Sequence, residues 1–434
     1  MARIEWRPWL LVAAFSLVLF LITAGTYNAL GVVLPAMVKQ EGWSWTEAGF
    51  GYTLLGAATG LSSFLPPMMI KRFGVRATLL VGAAVMGGGF FCIAETRGVL
   101  LYFIGCGFCG VGYQALALIP GTHVIAAVFK HRALPFGVYF TGASLGGVAG
   151  PIFAAGIMHA AHGDWRVFWI AQTIGAVAMG VFCAAIAPRG TELAAASART
   201  DAQLAEETHA PGRHRVYRTP VDWTLAEAAR TPQFYILMAT YFAHLLIGAT
   251  VGAVSISHLT QRGIGMTLAV TMLSVEALMQ MAGRTLGGLI GDWIDPRYLL
   301  LVSLVALAGG SAALATAHDA PSLLLYALGS GIGFGLCLLA TTVLLLNYYG
   351  RRHNLEIFSA ICLIGAVSAL GPTIAGALRD ATGTFVSTFE IFAGVMMVIA
   401  IAVIFMRPPH RSKAAATPAE EPSQRATEFV EHPA

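Results

Sequence analysis

Apolar residues come in long unbroken blocks along this chain, separated by short polar breaks. A helix needs about 20 apolar residues to cross the hydrocarbon of a bilayer. Twelve stretches meet that length: about 9–37, 46–70, 76–95, 98–127, 133–159, 164–187, 232–260, 266–291, 297–317, 321–349, 354–379 and 383–406. A membrane β-barrel would instead show short segments of alternating polarity. The pattern predicts an all-α integral membrane protein with twelve transmembrane helices. Arg3 and Arg7 precede the first block and mimic a signal peptide, but the block runs to about Val38 without a convincing cleavage site, so it reads as a retained first helix.

The longest polar break, residues 188–231, divides the blocks into two sets of six. The expected organisation is an N-terminal six-helix bundle over 1–187, a linker over 188–231, a C-terminal six-helix bundle over 232–407, and a disordered tail over 408–434. Within the linker, Thr224-Leu-Ala-Glu227 has the capping-box pattern and predicts a short surface helix over 224–231. Pro232 suits the first turn of the helix that follows. The two sets echo each other. GCGFCGVG, AVFKHR and TGASLGGVAGP in the first correspond to GSGIGFG, NYYGRR and IGAVSALGP in the second, and Gly150-Pro151 matches Gly371-Pro372 at an offset of 221. Repeated bundles of this kind place a substrate site at their interface, near the middle of the membrane.

Composition sharpens the class. The chain is 57% hydrophobic and 11% charged, with mean hydropathy +0.72, against about 25% charged residues in a soluble protein. A net charge of +4, dispersed along the chain, does not imply a nucleic-acid partner. The six cysteines all fall in apolar blocks, and the Cys106-x-x-Cys109 pair on a glycine-rich helix reads as packing rather than as a redox or metal site. Packing also accounts for most of the 49 glycines. No Walker A motif, Ser/His/Asp arrangement or H-E-x-x-H is present, so neither ATP-driven transport nor an enzyme is expected, and no cofactor.

Charge sets the expected orientation. With twelve spans both termini lie on one side, and 20 of the 26 Lys and Arg residues fall there, against five opposite. The positive-inside rule makes that side cytoplasmic, in the cell (inner) membrane. One base is left over. Arg284 sits inside the block 266–291, on the same helix as Glu276 and Gln280. Spaced by four, the three residues drift only ~40° per step and share a face, with the outer two ~12 Å apart along the axis. Gln280 is expected to bridge the gap between them. An ionisable group in hydrocarbon is costly unless it faces a cavity or a partner. The planar fork of Arg284 suits bidentate binding of a carboxylate, and a buried Glu276 could carry a proton or cation. The competing reading is a static polar stripe that fixes helix packing. His244, in the middle of its helix, is a second candidate for proton coupling, or a neutral histidine satisfied by a neighbour. Tyr27, Asn28, Tyr113 and Gln114 lie near the midplane and need partners there; together with Arg284 and Gln280 they could line a substrate site, or each could join two helices. His123, Tyr139, His258, Phe334 and Glu390 carry less weight.

The two halves, with a basic loop after the second helix and its echo after the eighth, resemble the major facilitator superfamily. Its loop motif, G-x-x-x-D-R-x-G-R/K-R, is similar to Pro67-Met-Met-Ile-Lys71-Arg72-Phe73-Gly74-Val75-Arg76 and to Gly288-Leu-Ile-Gly-Asp292-Trp-Ile-Asp-Pro-Arg297. The resemblance implies that Arg72, Arg76 and Asp292 belong to a cytoplasmic gate, although Lys71 stands where the first copy would carry its acid. A narrower likeness to the monocarboxylate transporters and oxalate/formate antiporters rests on several runs. These are Tyr27-Asn-Ala-Leu-Gly31-Val-Val-Leu-Pro35 with Glu41-Gly-Trp-Ser, Phe129-Lys-His-Arg132-Ala-Leu-Pro-Phe-Gly137 with Gly142-Ala-Ser-Leu-Gly146, and Ala282-Gly283-Arg284 with Gly287-Gly288 and Asp292. Of those groups' charged residues, the helix-1 lysine is replaced by Gly31, the helix-8 aspartate by Gln280, and helix 11 has no lysine between Leu355 and Leu378; Arg284 remains. The implied function is secondary transport of small organic anions, monocarboxylates first, by proton symport or anion exchange in a monomer. The alternatives are efflux of amphipathic compounds, since Gly-Gly-Val-Ala-Gly150-Pro151 resembles an antiporter motif, or a non-transporting membrane sensor.

Overall fold

The computed structural model describes residues 6–209 and 216–410; the expected disordered tail from residue 411 onward lies outside the described residues. The first set of helices is α1 (Trp6–Thr23), α2 (Leu30–Glu41), α3 (Trp45–Leu61), α4 (Leu65–Ala94), α5 (Val99–Gly112), α6 (Ile119–Val128), α7 (Ala133–Ala160) and α8 (Trp165–Ile186). The connecting stretch holds α9 (Gly190–His209) and α10 (Leu225–Ala228). The second set is α11 (Pro232–Gln261), α12 (Met266–Ile290), α13 (Pro296–Thr316), α14 (Ala320–Tyr349), α15 (Asn354–Leu363), α16 (Gly365–Ser368), α17 (Gly371–Thr382) and α18 (Val386–Phe405). The protein is all-α among the described residues.

Among the described residues, ten segments are long and apolar enough to cross a membrane. One of them, Glu47–Ala94, contains two of the expected spans, which meet where Gly74 turns the chain with φ 82°. Only a residue without Cβ takes that left-handed conformation at no cost. α12, with 25 residues, carries Glu276, Gln280 and Arg284, which lower its hydropathy.

Three of the expected helices are not continuous. The first is interrupted by a π-helical turn at Ala24–Asn28, the fourth by another at Tyr113–Leu118, and the eleventh is cut into α15, α16 and α17. A π-turn inserts one residue into the helical ladder and is frequent at functional sites. Both of these π-turns carry tyrosines singled out from the sequence. The capping box at Thr224 is present, with Glu227 N donating to Thr224 Oγ1 at 3.3 Å and Thr224 N donating to Glu227 at 2.9 Å, but the helix it starts is shorter than expected. α9 was not anticipated, because its sequence is polar and lacks an apolar block.

α1 packs on α7, α4 on α5 and α8, α12 on α14, and α13 on α14 and α18. The two sets meet most extensively along α7 with α12 and α3 with α16, and α15 also touches α3, α4 and α6. Both crossings depend on small residues. A Cβ on Gly137 of α7 would lie 2.7 Å from Cα of Gly288 in α12, and a Cβ on Gly56 of α3 would lie 3.1 Å from the Ala369 methyl.

Candidate functional site

α12 presents its polar stripe inward. Glu276 and Arg284 are 5% and 4% exposed. The tight fit of α12 against α14 holds the stripe in place, since a Cβ on Gly283 would fall 2.8 Å from Ile332 O. Gln280 Nε2 donates to Glu276 Oε1 at 2.9 Å. Arg284 turns the other way, so the expected Gln280 bridge does not form. Arg284 Nη1 reaches α7 of the first set and donates to Phe140 O and Ser144 Oγ, both at 2.8 Å. The physical reason is length: a guanidinium two turns from Glu276 reaches acceptors on the neighbouring helix more easily than by folding back along its own. Arg284 Nε is buried without a hydrogen-bond partner, and no carboxylate among the described residues lies within ion-pair distance of the group.

Aromatic side chains surround Arg284 from both sets. From the second set, the guanidinium lies 5.8 Å from the Phe334 ring centroid, and Phe334 stacks on His244 at 3.9 Å. Tyr241 follows at 6.3 Å from His244. From the first set, Tyr113 lies within electrostatic reach of Arg284. Tyr27 packs edge-on against Tyr113 at 5.5 Å and against Tyr52 at 5.8 Å. Tyr241 lies within electrostatic reach of both Tyr27 and Tyr113. His244 is 1% exposed, and its Nδ1 has no partner.

The other sequence candidates are placed as follows. Tyr27 OH pairs with Thr59 Oγ1 at 3.0 Å, and Gln114 Nε2 donates to Thr59 O at 2.9 Å while its Oε1 is buried without a partner. The Asn28 side chain lies outside the described residues. Tyr139 and His258 are structural: Tyr139 OH donates to Ala117 O, and the His258 ring bonds Leu314 O at 2.9 Å. Sequence reasoning missed Tyr241, Tyr52, Thr59 and Ser144 as members of the cluster. Tyr241, three residues before His244 on one helix face, was the only one with a legible signal.

The residues expected at a gate are placed differently from one another. Asp292 does join the sets, its Oδ1 accepting from Arg132 N at 3.1 Å and Ala133 N at 3.3 Å at the start of α7. There it meets the positive end of the helix dipole. Arg72 and Arg76 do not cross over. Arg76 Nε donates to Ala187 O at 2.7 Å within its own set, and the Arg72 guanidinium lies over the ring of Phe73 beside it. Lys71, standing where the family motif has its acid, reaches the second set and pairs with Glu356 in the first turn of α15. Base and acid have exchanged places at this half of the gate. Ser63 and Ser359 add reciprocal hydroxyl-to-carbonyl bonds of 3.0 and 2.5 Å, and Arg351 donates to Ala126 O and Ala127 O. Thr141 and Thr285 pair at 3.1 Å between these contacts and Arg284. The protein is therefore closed on the face that carries the connecting stretch.

A sequence profile of the Major Facilitator Superfamily matches residues 15–367. The chain belongs to the major facilitator superfamily. Like other members it is a multi-pass membrane transporter and not an enzyme. Among its relatives is monocarboxylate transporter 4 of Rattus norvegicus, 23% identical over 403 residues, with 89% of this chain and 81% of the relative covered. Another is the aspyridones efflux protein of Emericella nidulans, 21% identical, with 90% and 76% covered. The fold matches a crystal structure of the E. coli fucose:proton symporter with TM-score 0.67 and 16% identity, over 91% of this chain and 98% of that one. It matches a proton:xylose symporter bound to 6-bromo-6-deoxy-D-glucose with TM-score 0.68 and 14% identity, over 91% and 94%.

Proposed function

We propose that this superfamily member carries small organic anions, monocarboxylates first, by rocking of its two six-helix halves about the site at Arg284. One observation supports the reading above the others. A guanidinium is buried between the two helix sets with part of its hydrogen-bonding capacity unused and no carboxylate beside it. Burying a charge costs several kcal/mol unless it is paired, and an anionic substrate supplies the missing charge. The relative named as a monocarboxylate transporter agrees with this chemistry. With the connecting stretch cytoplasmic, as the charge distribution predicts, the closed face is the inner one.

Glu276 has no cation within ion-pair distance among the described residues and a single hydrogen bond, from Gln280. It can take up a proton without breaking a salt bridge, which suits symport. The test is uptake of labelled carboxylates into proteoliposomes with and without an inward proton gradient. Glu276→Gln is expected to keep exchange at equal pH and to lose gradient-driven accumulation. Full accumulation by Glu276→Gln would remove Glu276 from the coupling. Export of amphipathic compounds is the second reading, favoured by the efflux relative. In the same liposomes it predicts no carboxylate uptake in either direction of the gradient.

A further inference from the structure

We propose that the anion taken by Arg284 carries an aromatic body, so that aryl carboxylates are the substrate class. This deepens the organic-anion reading and rests on it. The walls about the guanidinium are rings. Phe334 contacts both Arg284 and His244, with Tyr241 next to His244, and from the first helix set Tyr113, paired with Tyr27, lies within electrostatic reach of Arg284. Phe334 is held in that position by Gly248 of α11, because a Cβ there would meet the ring. Ring faces attract ring edges at centroid separations of about 4.5–7 Å, the spacing that Tyr27 keeps from Tyr113 and Tyr241 from His244, while Phe334 stacks closer on His244. Tyr27 and Tyr113 sit on π-turns, which displace their rings from the regular helical register. A formate- or acetate-sized anion would engage Arg284 and leave these surfaces unused. A benzoate-sized one would place its carboxylate on Arg284 and its ring between Phe334 and Tyr113.

The test is displacement of labelled benzoate from purified full-length protein by benzoate, phenylacetate, cyclohexanecarboxylate, propionate and acetate. Binding in detergent avoids passive diffusion of the free acids. Benzoate or phenylacetate is expected to compete at least tenfold better than propionate, and several-fold better than cyclohexanecarboxylate, which is as bulky but not aromatic. Phe334→Leu should narrow the ratio of benzoate to cyclohexanecarboxylate, and Phe334→Tyr should retain it. Equal competition by propionate and benzoate, with Arg284→Ala still losing both, overturns the aryl class and leaves the anion site standing. Undiminished benzoate binding by Arg284→Ala overturns both.

A second inference comes from the connecting stretch. We infer that Asp222 is a positioning residue of the closed gate. Its Oδ1 accepts from Arg351 N at 2.8 Å and Arg352 N at 3.2 Å. The backbone on either side is clamped to the end of α14, Thr219 N donating to Asn347 O at 2.8 Å and Trp223 N to Tyr349 O at 2.9 Å. Gly350 turns there with φ 82°. The turn so fixed aims Arg351 at the last carbonyls of α6, and Ala127 O also accepts from Thr200 of α9 at 3.3 Å. Both ends of the stretch thus converge on one latch. Spin labels at Phe73→Cys and Arg407→Cys, one on each helix set, report its opening. Asp222→Ala is expected to lengthen the distance distribution and to lower the maximal transport rate, while Asp222→Asn, which keeps an acceptor oxygen, restores both. A distribution for Asp222→Ala identical to that of the unsubstituted gate overturns the assignment.

Discussion

Arg284→Ala is expected to lower the affinity for carboxylates by at least about thirtyfold while leaving the protein folded. Truncating one partner of a buried, hydrogen-bonded charge pair costs about 2–5 kcal/mol, and each 1.4 kcal/mol is about tenfold. The fold survives because the charge has no carboxylate beside it in the unliganded protein. Its removal sacrifices the bonds to Phe140 O and Ser144 Oγ but also ends an uncompensated desolvation. Melting temperature should therefore change little. Arg284→Lys keeps the charge and loses the planar fork, so it should recover only part of the affinity. Titration of a labelled carboxylate against purified variants, with thermal melts alongside, checks both statements.

The second large effect is expected at the glycine crossing. A Cβ on Gly288 would lie 2.9 Å from Gly137 Cα and 3.0 Å from Ala133 O. Both are backbone atoms on a helix that also carries two partners of Arg284. Overpacking a tight contact costs about 1–3 kcal/mol, and rocking of the two sets that opens this face would relieve it. Gly288→Leu should thus shift the population toward the form open on this face by about five- to a hundred-and-fortyfold and stall transport. Gly309→Leu is the control, because no atom lies within 4 Å of a Cβ at that position. Distances between spin labels on the two helix sets should lengthen for Gly288→Leu and remain unchanged for Gly309→Leu.

Much of the fold was legible because block length is a strong signal in a membrane protein. Hydrocarbon satisfies no backbone group, so each span must be a helix of sufficient length. Arg284 was legible for a related reason: it is the one base with no loop to occupy. Its direction was not. Whether a guanidinium reaches along its own helix or across to α7 depends on how near α7 lies, and that follows from Gly137 meeting Gly288. The π-turns at Tyr27 and Tyr113 were hidden as well, since one extra residue in a helical ladder leaves hydrophobicity unchanged. At the gate, motif position was a poor guide to partner. Arg72 and Arg76 stay in their own set, while Lys71, the departure from the motif, finds Glu356 across the interface. Asp222 lies in a stretch whose composition signals only a linker, so its role emerges solely from the three-dimensional contacts of the 350–352 turn.

The central claim is that Arg284 recognises negative charge. The most direct measurement compares the affinity of one acid with that of its neutral amide, benzoate against benzamide, in the unsubstituted protein and in Arg284→Ala. A strong preference for the acid that collapses in Arg284→Ala is the predicted result. A preference of equal size in both proteins would contradict the account.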